Sequence, residues 1–146
     1  MIKVLFVDAG NYCRSPAAEA IGRARAAGLR KIEFDSAGLK DKHAGGPADP
    51  RTVEACTAAG YDLGDFRCRQ IAAADFVTQD LILAMDRENL AELLARQPAD
   101  SHARIELFLG DREVPDPYFG PADGFSEMIR QIETGIQQLL TRSPAP

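Results

Sequence analysis

Three cysteines and two histidines are all that 146 residues offer for bridging disulfides or ligating zinc. The thiols are too few and too irregularly spaced for a secreted disulfide framework, and their odd number fits reduced intracellular cysteines. Neither His43 nor His102 has a partner at metal-ligand spacing, so both are expected in solvated loops and no metal or other cofactor is expected. No apolar run approaches the length of a membrane span, and no membrane partner is expected. Asp8 interrupts the first hydrophobic stretch and no small-residue cleavage pattern follows a long apolar region, so a secretory signal is not expected and the cytoplasm is the default compartment. Basic residues are in deficit, 17 against 22 acidic, and the net charge of −5 argues against non-specific binding of nucleic acid. Linkers, repeats and low-complexity tracts are also missing, so residues 1–146 read as one domain, long enough to bury roughly two thirds of its unfolded surface.

The chain instead alternates two periodicities. Strand-like segments lie near Lys3 to Val7, Lys31 to Asp35, Asp80 to Ala84 and Arg104 to Leu107. Between them fall helical patterns. Pro16 to Gly28 carries Ala17, Ala20, Ile21 and Ala24 on one face, and Asp49 to Gly60 carries Val53, Cys56 and Ala59. Asp86 to Arg96, with Asp86 as cap, is expected to bury Leu90, Leu93 and Leu94. The last helix, about Asp123 to Thr141, aligns Phe125, Met128, Ile129, Ile132, Ile136, Leu139 and Leu140 in a core stripe. Such alternation predicts an α/β fold, a mostly parallel sheet with helices on both faces, and ligands at the carboxyl edge of the strands. The tail Ser143 to Pro146 is expected to fray.

The chemistry concentrates in Val4 to Pro16. Four apolar residues, Val4 to Val7, suit a strand covered on both faces. Ser15 reads as an N-cap, Pro16 as the first helical residue and Glu19 as a first-turn carboxylate. Ala9, Gly10 and Asn11 are small or tolerant of left-handed backbone angles, so the amides from Ala9 through Ser15 can curl around one anion. A strand ending in such a nest, aimed at a helix N-terminus, binds phosphate or sulfate, and Arg14 adds a planar fork for two of its oxygens.

This stretch resembles the opening signature of the low-molecular-weight protein tyrosine phosphatases, a C-x5-R loop of the form V-C-x-G-N-x-C-R-S-P, with Asp8 where the family has its nucleophilic cysteine. Val114-Pro115-Asp116-Pro117-Tyr118-Phe119-Gly120 is similar to the family's D-P-Y-[YF]-G segment. Ser36-Ala37-Gly38, Asp49-Pro50-Arg51, Arg69-Gln70-Ile71 and Asp80 to Leu90 follow in the family's order, so the likeness covers nearly the whole chain. It implies a three-layer domain with a four-stranded parallel sheet ordered 2-1-3-4. It also implies a phosphatase acting on phosphotyrosine protein or another phosphomonoester, inorganic phosphate or a similar oxyanion being a further ligand. Carried over residue by residue, position 8, Arg14 and Asp116 are catalytic, and residues Ala9, Gly10, Asn11, Tyr12, Cys13, Arg14 and Ser15 bind phosphate. Tyr12, Lys42 and Tyr118 contact substrate, while Asn11, Ser15 and Ser36 support the loop. Asp116 is the general acid and then base, presented from a segment stiffened by Pro115 and Pro117.

A carboxylate does not replace a thiolate. The donors that would lower a thiol's pKa are expected to lower that of Asp8 too, leaving it ionised and competing with phosphate for its own cradle. Nearly inactive protein is therefore expected. Two origins fit: a deliberate Cys-to-Asp exchange at position 8, favoured because Asn11, Arg14, Ser15 and Asp116 are all retained, or a natural pseudo-phosphatase that binds phosphotyrosine without turnover. An aspartyl phosphotransferase built on Asp8 would need magnesium and acidic neighbours that Ala9 to Asn11 do not supply. A relative of the thioredoxin-coupled arsenate reductases would need the loop thiol and two closely spaced cysteines, whereas Cys56 and Cys68 fall in different segments.

Cys13 reads as a quiet loop thiol, Cys56 as core, and Cys68, between Arg67 and Arg69, as a surface thiol either somewhat reactive or, the preferred reading, incidental. Leu39 to Pro47 has no apolar period and reads as mobile surface. In the family it walls the cleft, commonly with an aromatic where Lys42 stands. Lys40, Lys42 and His43 either favour acidic substrates there or are merely solvated. The related phosphoarginine phosphatases tend to carry a small hydroxyl residue at the position of Tyr12, which makes that substrate less suited to this chain.

Overall fold

The computed structural model describes residues 1–28 and 31–142, so the frayed-tail expectation for residues 143–146 falls outside it. Strands β1 (Ile2–Asp8), β2 (Ile32–Gly38), β3 (Leu81–Ala84) and β4 (Arg104–Leu107) form one parallel sheet in the order β2-β1-β3-β4. This is the expected 2-1-3-4 order, in a single α/β domain with helices on both sides.

The register follows from side-chain alternation along β1. Val4 and Phe6 point to one face, with Phe34 of β2 and Leu83 of β3, where helices α1 (Arg14–Ala26), α2 (Pro50–Ala58) and α5 (Asp123–Thr141) cover them. Leu5 and Val7 point to the other, with Ile82 and Ala84, where Phe76 of α3 (Ala73–Thr78) and Leu93 of α4 (Arg87–Arg96) close the layer. A central strand covered twice has no polar face to offer, which is why Val4 to Val7 is uninterrupted. Phe6 is fully buried, stacked on Phe34 and edge-on to Phe108, so Phe6→Ala would cost about 3–5 kcal/mol.

Helix α5 presents the expected stripe, with Phe125, Met128, Ile129, Ile132 and Ile136 buried. At Gly135 it comes so close to the end of β4 that an added Cβ would lie 2.5 Å from Phe108 Cζ. Asp49 and Asp86 cap α2 and α4 through Arg51 N and Asn89 N, at 2.8 and 2.7 Å.

Several expectations need correction. Helix α1 begins at Arg14, with Cys13 as its N-cap residue and no side-chain cap, so Ser15 and Pro16 lie inside the first turn and Glu19 beyond it. Ser15 does not cap because its backbone is already helical and its Oγ accepts from Asn11 Nδ2, not from a helix amide. The six-residue α3 is too short to show a period. Leu94 and Ala59 are exposed, since α4 and α2 each bury a narrower face than the apolar count suggests.

Parallel topology brings every strand's outgoing loop to one edge. There Leu39 N and Lys40 N donate to Asp8 O and Ala9 O, and Val114 N donates to Met85 O. Residues 9–13, 39–49, Met85–Asp86 and 114–119 are thereby gathered beyond the end of β1. None of the described helices is long and apolar enough to cross a membrane.

Candidate active site

Asp8 is the last residue of β1 and is buried, 2% exposed. Its Oδ1 accepts the Asn11 amide at 2.5 Å and its Oδ2 the Ser15 amide at 2.8 Å, so both oxygens sit inside the loop that follows the strand. Asn11 makes that curl possible. Its φ of 56° is the one left-handed value at a non-glycine among the described residues, and asparagine tolerates it because its short side chain finds local partners. Here Nδ2 donates to Ser15 Oγ at 2.8 Å and Ser36 Oγ at 3.0 Å, while Oδ1 accepts from Arg69 N at 2.8 Å. Ser36 Oγ in turn donates to Glu19 Oε1 at 2.6 Å.

The loop lies hard against β2. A Cβ at Gly38 would stand 2.6 Å from Gly10 C and 2.7 Å from Asn11 N, so only glycine lets these two backbones approach. Among the described residues, the amides of Gly10, Tyr12 and Cys13 have no protein acceptor, which leaves three loop donors free for a ligand.

Arg14, the first residue of α1, is equally buried. Nη1 donates to Asp86 Oδ2 at 2.7 Å and Val114 O at 2.9 Å, and Nη2 lies 3.8 Å from Asp116 Oδ2. One side of the fork is therefore fixed to structure and the other faces the cleft. Burial works against its charge, but Asp8, Asp86 and Asp116 together hold its pKa above the ordinary value.

For Asp8 the balance runs the other way. Burial raises its pKa and outweighs Arg14 and the two amides, which lower it. The expectation that the cradle would depress this carboxyl is corrected: two amides and one guanidinium do not recover the water lost to a site this deep.

Above Asp8 opens a cleft of about 230 Å³, lined by the loop, Arg14, Lys40, Lys42 and His43 on one side and by Asp116, Tyr118 and Phe119 on the other. Asp116 is half exposed, and its Oδ1 accepts the Tyr118 amide at 3.1 Å. The rings of Tyr12 and Tyr118 lie with centroids 6.1 Å apart, tilted 56° to one another. Arg51 lies over the Tyr118 ring at 5.2 Å and donates to its carbonyl, while bound to buried Asp49 at 2.6 Å.

The structure thus brings together Asp8, the loop from Ala9 to Ser15, Ser36, Lys42, Asp116 and Tyr118. Reading the chain missed three contributors. Asp86 was seen only as a helix cap, yet its second oxygen aims Arg14. Val114 O and Arg69 N act through main chain, which carries no residue signature. His43, read either as a rim residue or as solvated, lines the cleft and stacks on Tyr12 with centroids 3.7 Å apart and planes 6° from parallel.

A family model described as low molecular weight phosphotyrosine protein phosphatase matches residues 3–144. The chain belongs to that family. A Synechocystis relative bearing the low molecular weight protein-tyrosine-phosphatase name is 44% identical over 150 residues, spanning 96% of this chain and 95% of that protein. The crystal structure of a protein tyrosine phosphatase from Entamoeba histolytica, with Hepes in its active site, superimposes with a TM-score of 0.89 at 36% identity, over 96% of this chain and 95% of that one. A Drosophila arginine phosphatase gives 0.90 at 34% identity, over 99% and 100% of the two chains.

Within this low molecular weight phosphatase fold no thiol is poised to react. Cys13 Sγ lies 3.7 Å from Asp49 Oδ2, and burial, with Asp49, Asp116 and Asp8 adding to it, pushes its pKa up to about 12. Cys56 is core, its pKa raised to about 12 by burial. Cys68 is not on the surface as expected: it is buried, its Sγ reaches Pro47 O at 3.4 Å, and burial raises it to about 11.

The loop from Leu39 to Pro47 is not the free segment its composition suggests. Lys40 N is bonded to Ala9 O at 2.8 Å, and Gly45 N to Cys68 O and Cys68 N to Gly46 O at 2.8 Å each. These partners lie more than twenty positions away in the chain, beyond the reach of any local pattern.

Proposed function

We propose that this chain has the binding apparatus of a phosphatase for phosphotyrosine protein, or a similar aryl phosphomonoester, and that Asp8 nearly abolishes its turnover. The observation that carries the reading is the carboxylate of Asp8 sitting on the Asn11 and Ser15 amides at the floor of an arginine-lined cleft. A thiolate at this point would attack phosphorus while Arg14 and the free amides of Gly10, Tyr12 and Cys13 hold the equatorial oxygens. The bond from phosphorus to the aryl oxygen breaks, and Asp116 gives that oxygen its proton. Asp116, now a carboxylate, takes a proton from the water that hydrolyses the phosphocysteine, releasing phosphate and the free thiolate.

With Asp8 the same attack would give an acyl phosphate, but both of its oxygens already accept amide protons, which weakens them as nucleophiles. Asn11, Ser15 and Ser36 are assigned to holding the loop, Tyr12 and Tyr118 to flanking the substrate ring, and Lys42 to the rim. The ring wall made by Tyr12 on His43 favours an aryl ester over the flexible side chain of a phosphoarginine. A disulfide relay of the arsenate-reductase kind is disfavoured by three buried cysteines whose pKa values are all raised.

The decisive comparison is aryl phosphate hydrolysis by this chain and by Asp8→Cys. The exchange is expected to raise turnover by about 10⁴-fold or more, as loss of a nucleophile costs in other enzymes. Equal rates would refute the proposal.

A further inference from the structure

Of the thirteen arginines, nearly every one in the described structure is tied to a carboxylate, and Arg14 faces three aspartates. The lysines behave differently. There are only four, two of them, Lys40 and Lys42, line the cleft, and among the described residues neither has an acidic side-chain partner within ion-pair distance. Both side chains are exposed. The cleft lining sets Arg14, Lys40 and Lys42 against Asp8 and Asp116, three positive charges against two, on a protein of net charge −5; Asp41, between the two lysines, is exposed and does not line the cleft.

Their backbone is also held in place. Lys40 is bonded through its amide to Ala9 of the anion loop, the segment is tied to Cys68 from both sides, and His43 is stacked flat on Tyr12. The two ammonium groups therefore extend from a fixed rim rather than a free loop, which lowers the ordering cost of using them. On the facing rim Phe119 is 95% exposed and edge-on to Tyr118, offering apolar surface to a chain that passes over the mouth.

We infer that Lys40 and Lys42 select phosphotyrosine peptides carrying Asp or Glu close to the phosphorylated residue. This rests on the reading of the cleft as a phosphotyrosine site and extends it to the neighbouring residues of the substrate. Each exposed pair contributes roughly a two- to five-fold preference at low ionic strength. Because these charges are solvated, the preference fades as salt shortens the screening distance from about 10 Å at 0.1 M to about 3 Å at 1 M.

The test uses two forms of the full chain and two phosphotyrosine peptides differing only in acidic against neutral flanks. Asp8→Cys reports kcat/KM, and Asp8→Ser, which needs no turnover, reports Kd by calorimetry. The expected result is a roughly five-fold or greater acidic preference in both readouts, reduced stepwise by Lys40→Gln and Lys42→Gln and lost near 1 M salt. Peptides bound equally, or an acidic preference that survives both lysine exchanges and high salt, would overturn the inference while leaving the phosphotyrosine site intact. Failure of Asp8→Ser to bind either peptide, with no aryl phosphate hydrolysis by Asp8→Cys, would overturn the underlying reading and the inference with it.

Discussion

Asp8→Ser isolates the cost of placing a carboxylate in an anion cradle. An oxyanion held by Arg14 and the loop amides approaches the Asp8 oxygens to about 4 Å, where two like unit charges repel by about 4 kcal/mol at an effective dielectric of 20. That is about 10³ in affinity if Asp8 is fully ionised. Burial raises the Asp8 pKa, so a bound anion can draw a proton onto the carboxyl and escape part of the penalty. The gain on exchange to serine therefore depends on pH. Sulfate is a suitable ligand because its charge is constant across the working range, and with one of its two charges met by the Arg14 guanidinium the unit charge used above remains. Calorimetric titration at pH about 5 and about 8 is expected to show Asp8→Ser binding sulfate at least about 10-fold more tightly than the parent, with the gap widening toward about 10³ at the higher pH. Equal affinity at both pH values, or tighter binding by the parent, would mean that Asp8 does not occupy the anion's field, and the reasoning would fail.

Two further expectations follow from the same geometry. Gly38→Ala forces a methyl group against Gly10 and Asn11 backbone at 2.6 and 2.7 Å, so Asp8→Cys/Gly38→Ala should lose most of the turnover of Asp8→Cys, at a stability cost of about 1–3 kcal/mol. Steady-state assay and urea melts check it, and undiminished turnover would show the loop tolerating displacement. The raised pKa of Asp8 also fixes a sign: its protonated form is favoured in the folded state, so its contribution is fully present below the unfolded value of 3.8 and is lost as pH rises through the folded value. The urea midpoint of the parent should accordingly fall relative to Asp8→Ser as pH rises from about 4 to neutrality, and a parallel pair of curves would contradict the assignment.

What could be read from residues alone was whatever local chemistry dictates. The uninterrupted Val4 to Val7 marks a strand with two covered faces, the α5 stripe from Phe125 to Ile136 follows one period, and Asp49 and Asp86 stand where caps stand. The anion loop was legible because its small residues and arginine are adjacent in the chain. What escaped was settled at long range. Ser15 has the chemistry of a cap but lies inside the first turn with its Oγ on Asn11, and Leu39 to Pro47 has the composition of a free loop but is bonded to Ala9 and Cys68. The Asp8 shift reversed for the same reason: its donors could be named from the loop, whereas the depth of burial belongs to the packed sheet and helices around it.

The central claim is that this cleft carries phosphoryl transfer through position 8 and that an aspartate there cannot accept it. Rapid-quench mass spectrometry tests it directly, with the parent and Asp8→Cys each mixed with aryl phosphate on an Asp116→Ala background that slows breakdown of the intermediate. A phosphoryl adduct at position 8 of the Asp8→Cys protein, and none on the parent, is the expected result. An adduct on Asp8 of the parent, or an Asp8→Cys protein phosphorylated at another residue or at none, would contradict the account.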